Sequence, residues 1–499
     1  MTPTVAGHSK GTNSWSEALG LKIKSAYLWS TALQAGKNLL GFVISILLAR
    51  WLQPSDYGLV GMVTVLIAIV SVFQDWGIGQ AVIYFSDESE EHLATYFTVT
   101  TATGLLLTIV TFFSAPIMAK FYHEPRLISI VRALSFTFLL GGLWAVSQSV
   151  LTKHFRFRSL TLIESACTLG SGVIAIAMAW NGYGVWSLVT NILIQTLATT
   201  LLYCSIVRPR FTLHIDRTLL KKVIRWGLPL AGSGLLWRFY DNSDYLIIGK
   251  LLGAPALGAY TLAFRLATMV NDKISSVINR VSFPSFSAMQ DSLDSVIQHW
   301  LSVTRKLAWV NFPVLVAIAL NTEDFISIFL GPKWQQAAPL VKYLCVVGAL
   351  KTLNPLVTNL LSARGRTDIV FQITILNSIL LPVSFLIGCR IGSVTTVCIG
   401  WCLVFPFTSA LLVYRATKLV GIRSWDFLSN LKSPALTASI CFAVMLPFSW
   451  LMPFSLLRLC LRSTAGLACF AACLWFQKGV RQSLFQFIQW RPGSAASAT

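Results

Sequence analysis

Apolar runs of about twenty residues follow one another along nearly the whole chain, broken only by short polar and Gly/Pro punctuation. Such a run is long enough to cross the roughly 30 Å hydrocarbon core of a bilayer as a helix. A helix satisfies its backbone groups internally, which open strands in lipid do not. The pattern predicts spans near 24–50, 59–85, 93–116, 127–150, 160–180 and 185–207, then 223–249, 257–282, 306–330, 338–362, 369–388 and 394–414. A final pair falls near 435–452 and 456–476. The fold class expected is an all-α polytopic membrane protein with about 14 transmembrane helices. Twelve spans plus a poorly inserted last pair is the alternative, because Arg458 and Arg462 fall inside or on the wrong side of the last run.

The first two spans meet at Leu48-Ala49-Arg50-Trp51-Leu52-Gln53-Pro54-Ser55-Asp56-Tyr57-Gly58. That stretch recurs in degraded form, 200 residues later and without a gap, as Ile248-Gly249-Lys250-Leu251-Leu252-Gly253-Ala254-Pro255-Ala256-Leu257-Gly258. In each copy a cation closes an apolar run, a Pro-containing turn follows, and an aligned Gly opens the next run. The repeat predicts two related halves. Six spans precede the second copy, so both halves enter the membrane in the same direction. Parallel repeats of this kind make two six-helix lobes around a central cavity, here with an added C-terminal helix pair.

The divisions that follow are a tail at 1–23 with an interfacial helix (Trp15, Leu19 and Ile23 at i, i+4, i+8), an N-lobe at 24–207 and a basic linker at 208–222. A C-lobe at 223–415, a loop at 416–434, the helix pair at 435–476 and a tail at 477–499 complete the chain. Hydrophobic residues make up 55% and charged residues 12% of the 499, and the mean hydropathy is +0.68. A soluble catalytic domain is therefore not expected. The formal charge of +20 does not indicate nucleic acid, because Lys and Arg gather in alternate loops as cytoplasmic loops require. That asymmetry predicts both termini in the cytoplasm. The ten cysteines lie mostly in apolar runs with no CxxC pair and read as small hydrophobes. His123, His154 and His214 form no ligand pattern, so neither a metal nor a cofactor is expected. The first apolar run is too long for a cleavable signal core.

Taken in order, several segments resemble the polysaccharide transporter family, the Wzx-type oligosaccharide flippases of the multidrug/oligosaccharidyl-lipid/polysaccharide exporter superfamily. They are the 49–58 hairpin, Asp75-Trp76-Gly77-Ile78-Gly79, Arg225-Trp226-Gly227-Leu228-Pro229 and Asp244-Tyr245-Leu246-Ile247-Ile248-Gly249. Leu257-Gly258-Ala259-Tyr260, Val281-Ser282-Phe283-Pro284 and Phe329-Leu330-Gly331-Pro332-Lys333-Trp334 extend the match to about 24–415. It looks closest to the branch that exports exopolysaccharide repeat units. The lipid II branch carries a charged pair late in its first helix, where this chain has Ile44 and Ser45. The resemblance implies a flippase for undecaprenyl-diphosphate-linked oligosaccharide in the bacterial inner membrane, not an enzyme. It also implies membrane lipids and a polysaccharide polymerase with its co-polymerase as partners.

An ionisable side chain inside a span costs about 2.5–3.5 kcal/mol on insertion scales, so each one asks for a reason. The predicted first helix carries Gln34, Lys37, Asn38 and Gly41 on one side; the seventh carries Arg238, Asp241 and Asp244; the eighth carries Arg265 and Asp272, with Lys273 and Arg280 beside them. A diphosphate needs charge-assisted donors, and Arg offers a bidentate fork that Lys lacks. Lys37, Asn38, Arg238 and Arg265 are therefore the candidate substrate-binding residues, with Trp237 and Tyr240 as aromatic neighbours. Asp241, Asp244, Asp272 and Glu164 are the candidates for coupling to a proton or sodium gradient. Arg50, Asp56, Gly58, Asp75, Gly77, Lys250 and Gly258 read as structural motif residues, Asp75 bracing the glycine turn beside it. The chain contains no G-x-x-x-x-G-K-[ST] loop, which argues against ATP-driven transport by this chain alone. A membrane-embedded polymerase or glycosyltransferase would want a larger outward loop than this chain offers. A cation exporter of the same superfamily would want net negative charge in its cavity.

Overall fold

The computed structural model describes residues 33–476 apart from 35, 76–77, 80–81, 83–88, 155, 209, 213–215 and 289–291. The side chains of Asp75, most of 217–233 and all but Phe286 of 270–288 also lie outside the description. Expectations for the interfacial helix, Gly77 and the tail after 476 fall outside it too, as do the side chains of the Val281–Pro284 segment.

Among the described residues the elements are helical. They run α1 (36–51), α2 (Pro54–Val70), α3 (Glu90–Tyr122), α4 (Leu127–Lys153), α5 (Phe157–Trp180) and α6 (Val185–Val207). The long helix Arg217–Ala288 is interrupted at Gly253, whose φ of 80° and ψ of 179° are not helical. It is treated as α7 (217–252) and α8 (254–288). Then follow α9 (Leu293–Phe325), α10 (Ala337–Ala363), α11 (Thr367–Arg390) and α12 (Val394–Val420), with the shorter α13 (Ser424–Asn430), α14 (Lys432–Met445) and α15 (Phe448–Leu451) before α16 (Leu456–Phe476). Twelve described helical stretches are long and apolar enough to cross a membrane.

The helix ends follow local chemistry. Gln53 and Asp56 form a reciprocal capping box at the start of α2, with Pro54 at its first position. Ser89 caps α3 by accepting from the His92 amide, with Glu90 and Glu91 in the first turn. Two of the predicted loops are shorter than expected. The polar stretch at 283–304 is helical up to Ala288 and again from Leu293, because Ser292 supplies an N-cap and Trp300 a buried anchor. The stretch at 416–434 contains the end of α12 and all of α13.

The chain divides into two compact units, Met1–Gly258 and Ala259–Thr499. The division falls after the hairpin of the second repeat rather than in the basic linker. In the first unit, α3 and α4 approach closely through Gly104 and Gly142. A Cβ on Gly104 would meet the Phe138 carbonyl, and one on Gly142 the Thr100 carbonyl. The Thr100 hydroxyl donates to the Gly142 carbonyl at 2.9 Å and that of Thr108 to the Ser135 carbonyl at 3.1 Å. Small residues and hydroxyls at a helix interface are how bilayer helices pack, since apolar side chains gain nothing over lipid.

The two copies of the repeat meet within this same unit. A Cβ on Gly58 would land on the Ala254 carbonyl, and a Cβ on Gly258 on the Pro54 carbonyl. The first turns of α2 and α8 thus touch backbone to backbone, each through the Gly that the repeat aligns. Lys250 fastens the preceding turn, donating to the Phe121 carbonyl and lying 3.2 Å from Nδ1 of His123.

In the second unit, Trp300 stacks on Phe427 with centroids 5.0 Å apart, in a core shared by α9, α10, α11 and α12. Nε of Arg305 donates to Oδ1 of Asn430 at 2.6 Å, and Nδ2 of Asn430 donates to the Leu301 carbonyl at 2.7 Å. Asn430→Ala is expected to lower stability by roughly 1–3 kcal/mol, because it removes a buried amide and leaves the Leu301 carbonyl without its donor. A shift in thermal midpoint, read by size-exclusion chromatography after heating, checks this.

Candidate functional site

Three of the first unit's helices bring one charged cluster together inside the spans. Lys37 of α1 is hydrogen-bonded and ion-paired to Glu164 of α5, each side chain 22% exposed. The other carboxylate oxygen, Oε1, accepts the Tyr203 hydroxyl of α6 at 3.0 Å. Tyr203 is fully buried and meets Trp144 edge-on, with centroids 6.1 Å apart. Pairing offsets the cost of holding two charges in an apolar medium, and the phenol satisfies a further lone pair of the carboxylate. Asn38 sits on the same helix within 3.5 Å of Gln34. The residues read separately as an anion binder (Lys37) and an ion-coupling group (Glu164) are therefore direct partners.

On α7 the candidates fare differently. Arg238 is partly buried and makes no ion pair with Asp241; the amide of Asn242 occupies the Arg238 carbonyl at 2.8 Å. Trp237 is half-exposed, and Tyr240 and Asp241 are partly buried. Asp244 is completely buried, its Oδ1 accepting the Tyr245 amide at 2.8 Å. In the second unit Arg265 is exposed and makes no ion pair among the described residues. The side chains of Asp272, Lys273 and Arg280 lie outside the described set.

Of the motif residues, Arg50 is exposed, and Asp56 accepts the Gln53 amide at 2.9 Å. Lys250 also lies over the Phe121 ring at 5.0 Å. The backbone of Asp75 is helical.

Two groups in the second unit are not among the candidate functional residues expected from the sequence. Lys351 sits at the middle of α10, partly buried, with Nζ 4.8 Å from the Phe264 ring and 4.9 Å from the Trp401 ring. Trp401 is itself fully buried, and its Nε1 donates to the Tyr260 hydroxyl at 2.9 Å. Phe385 and Phe405 lie against the same indole at 5.2 and 5.4 Å. A desolvated cation over an aromatic face gains about 2 kcal/mol. That is comparable with its insertion cost of about 2.5–3.5 kcal/mol, which accounts for a lysine in the middle of the span. The signal was available: Lys351 falls in the centre of the predicted 338–362 run.

The other group is Asp324 of α9, with no exposed surface, against Arg458 and Arg462 of α16. Nε of Arg458 donates to both Asp324 oxygens at 2.9 and 3.0 Å, and Nη1 of Arg462 lies 3.1 Å from Oδ2. The arginines that looked misplaced in the last span are buried structural partners. Charge counting by loops misses this because it takes no account of pairing between helices.

The chain matches the family model described as polysaccharide biosynthesis protein over residues 47–339. It is 29% identical over 405 residues to the teichuronic acid biosynthesis protein TuaB of Bacillus subtilis (strain 168), covering 79% of this chain and 83% of that one. It is 25% identical over 385 residues to the lipopolysaccharide biosynthesis protein WzxC of Escherichia coli (strain K12), covering 76% and 78% respectively. With the succinoglycan biosynthesis transport protein ExoT of Rhizobium meliloti (strain 1021) it shares 24% identity over 426 residues, 84% of this chain and 85% of that one. In fold it is similar to the lipid II flippase MurJ in an inward closed conformation, with a TM-score of 0.73 at 13% identity over 90% of this chain and 98% of that one. It also resembles an inward-facing multidrug resistance MATE family transporter of the MOP superfamily, with a TM-score of 0.63 at 13% identity over 78% and 98%. At these identities the structural likenesses speak for the helical transporter fold and not for a substrate. The chain therefore belongs to the polysaccharide biosynthesis protein family, as a multi-pass membrane transporter of that family and not an enzyme.

Proposed function

We propose that the protein is a secondary-active flippase. It moves undecaprenyl-diphosphate-linked oligosaccharide repeat units across the bacterial inner membrane for exopolysaccharide or lipopolysaccharide assembly, by alternating access. The observation that carries this reading is the Lys37–Glu164–Tyr203 cluster. It holds an ammonium ready inside the spans under a carboxylate that an incoming diphosphate can displace. Arg238, without an acidic partner on its own helix face, adds a second donor suited to phosphate oxygens. Displaced from Lys37, Glu164 is the carboxylate that couples the step to a proton or sodium gradient. Asp244, completely buried on α7, is a second group of that kind. Asp241, Asp272 and Arg265 keep the roles expected of them as part of this proposal, with both termini cytoplasmic. The likeness to WzxC, a lipopolysaccharide biosynthesis protein, and ExoT, a succinoglycan biosynthesis transport protein, supports the substrate class, and a surplus of cations in the spans favours an anionic cargo over a cationic drug.

Leaflet-resolved transport in proteoliposomes tests the reading. An undecaprenyl-diphosphate oligosaccharide is loaded and a lectin or glycosidase reports its arrival. Lys37→Met and the double Arg238→Glu/Arg265→Glu are each expected to slow translocation at least tenfold, a loss of about 1.4 kcal/mol or more. Glu164→Gln is expected to remove the response to an imposed proton or sodium gradient. Translocation at the wild-type rate by the double variant would sink the anion-binding assignment. Efflux of small cations in place of lipid-linked sugar would move the protein to the drug-exporter branch.

A further inference from the structure

We propose that the corner between α12 and α14, with α13 at its centre, binds the headgroup of an anionic phospholipid of the surrounding bilayer. The lipid's phosphate meets Lys432 beside Trp425, and its acyl chain lies along α14. The proposal concerns the membrane around the protein and holds whatever cargo is moved.

The corner lies where two spans end. The stretches Val394–Val420 and Ser424–Leu451 are both long and apolar enough to cross a membrane, and α13 opens the second. Gly421, with a φ of 76°, turns the chain between them, and the Thr417 and Ser424 hydroxyls meet at 2.8 Å across the turn. One side of α13 is fixed from beneath, since Phe427 stacks on Trp300 and Asn430 donates to the Leu301 carbonyl. That anchoring leaves Trp425 and Leu428 outward, the indole 63% exposed. Nζ of Lys432 lies over the Trp425 ring at 4.9 Å. The ring's negative face thus positions an exposed ammonium at the end of the span.

Arg415, Lys418 and Arg423 are exposed around the same turn. Between 415 and 432 the one carboxylate is Asp426, which accepts the Arg423 amide at 3.3 Å. None of the four cations makes an ion pair among the described residues. Tryptophan favours the headgroup level of a bilayer, and basic residues at that level attract anionic lipid. The face beyond the ammonium distinguishes a lipid from an acidic protein segment. Leu436, Ile440 and Val444 follow Lys432 at i+4, i+8 and i+12 along α14, and all three are exposed. A cation and an indole closing an aliphatic stripe have the polarity profile of a single phospholipid, charged at one end and apolar along its length. An acidic loop would match the charges and leave the stripe uncovered.

The test uses the full-length protein in phosphatidylcholine nanodiscs containing graded amounts of lipid with brominated acyl chains, which quench tryptophan on contact. The brominated lipid is either phosphatidylglycerol or phosphatidylcholine. Quenching of Trp425 is the difference between each protein and the same protein carrying Trp425→Phe. Wild type is expected to reach half-quenching at a mole fraction of phosphatidylglycerol roughly tenfold lower than of phosphatidylcholine. Lys432→Gln is expected to reduce that preference about fivefold. The double Lys418→Gln/Lys432→Gln should bring the two lipids close to parity, and Lys432→Arg should keep the wild-type preference. These side chains are exposed, so thermal midpoints should not move. If the double variant does not fold, the two single variants at Lys432 decide. Equal quenching of wild type by the two lipids would overturn the proposal, and so would a preference that Lys432→Gln leaves intact. Soluble poly-glutamate is the further arm. Its Lys432-dependent binding, with the two lipids quenching equally, would assign the corner to an acidic protein partner and overturn the lipid site.

Discussion

Asp324→Ala is expected to be the most damaging single substitution in the second unit, costing about 3–5 kcal/mol of stability. One carboxylate with no exposed surface neutralises two guanidinium groups that are 5% and 2% exposed. Removing it leaves both cations buried without an anion, which is the costly way to break an ion pair. The backbone carbonyls of Met452, at 3.0 Å from Arg458, and Leu320, at 2.5 Å from Arg462, remain. They solvate the charge without cancelling it. Arg458→Ala should cost less than Asp324→Ala, because Arg462 still faces the carboxylate. Replacing all three by Leu and Met should recover much of the loss, since a matched apolar core avoids the desolvation of every charge. Thermal midpoints in nanodiscs decide the order. A midpoint for Asp324→Ala equal to that of wild type would show that water or lipid headgroups reach the cluster and already carry its charge.

The second large effect is expected at the repeat. Gly58→Ala and Gly258→Ala each push a methyl group into a backbone carbonyl, of Ala254 and Pro54 respectively. A side-chain clash is relieved by a rotamer change, whereas a backbone clash moves helices. Each substitution should cost at least the usual 1–3 kcal/mol of overpacking, roughly. The double variant should cost clearly less than the sum, because one separation of the α2 and α8 turns relieves both contacts. Additive losses would mean that the two glycines pack independently. Gly253→Ala makes a useful contrast: no neighbour crowds it, and its cost would come from the positive φ.

The charged clusters separate what can be read along the chain from what cannot. Lys37, Glu164 and Arg238 stand out as ionisable residues in apolar runs by a rule that needs no structure. That Lys37 and Glu164, 127 positions apart, share a hydrogen bond does not follow from that rule. Arg238 and Asp241 have the spacing of a helical ion pair and do not form one, since spacing brings two side chains near but burial and competing partners decide whether they join. Lys351 was as visible as Arg265 by the charge criterion. Its significance comes from aromatic residues 50 to 90 positions away along the chain, on α8 and α12.

By itself the sequence determined the membrane setting, the helical class, the approximate position of nearly every span and the existence of a repeat. These depend on runs of neighbouring residues, and transfer free energy sums locally along a chain. The repeat's Gly and its turn were legible for the same reason. Only the tertiary structure decided that those glycines face each other, that the arginines of the last span close on Asp324, and that Lys351 rests on a fixed aromatic bed. Such pairings depend on which helix faces lie together. In an apolar solvent, close packing and a small number of buried polar contacts choose those faces rather than hydropathy, which every helix here shares.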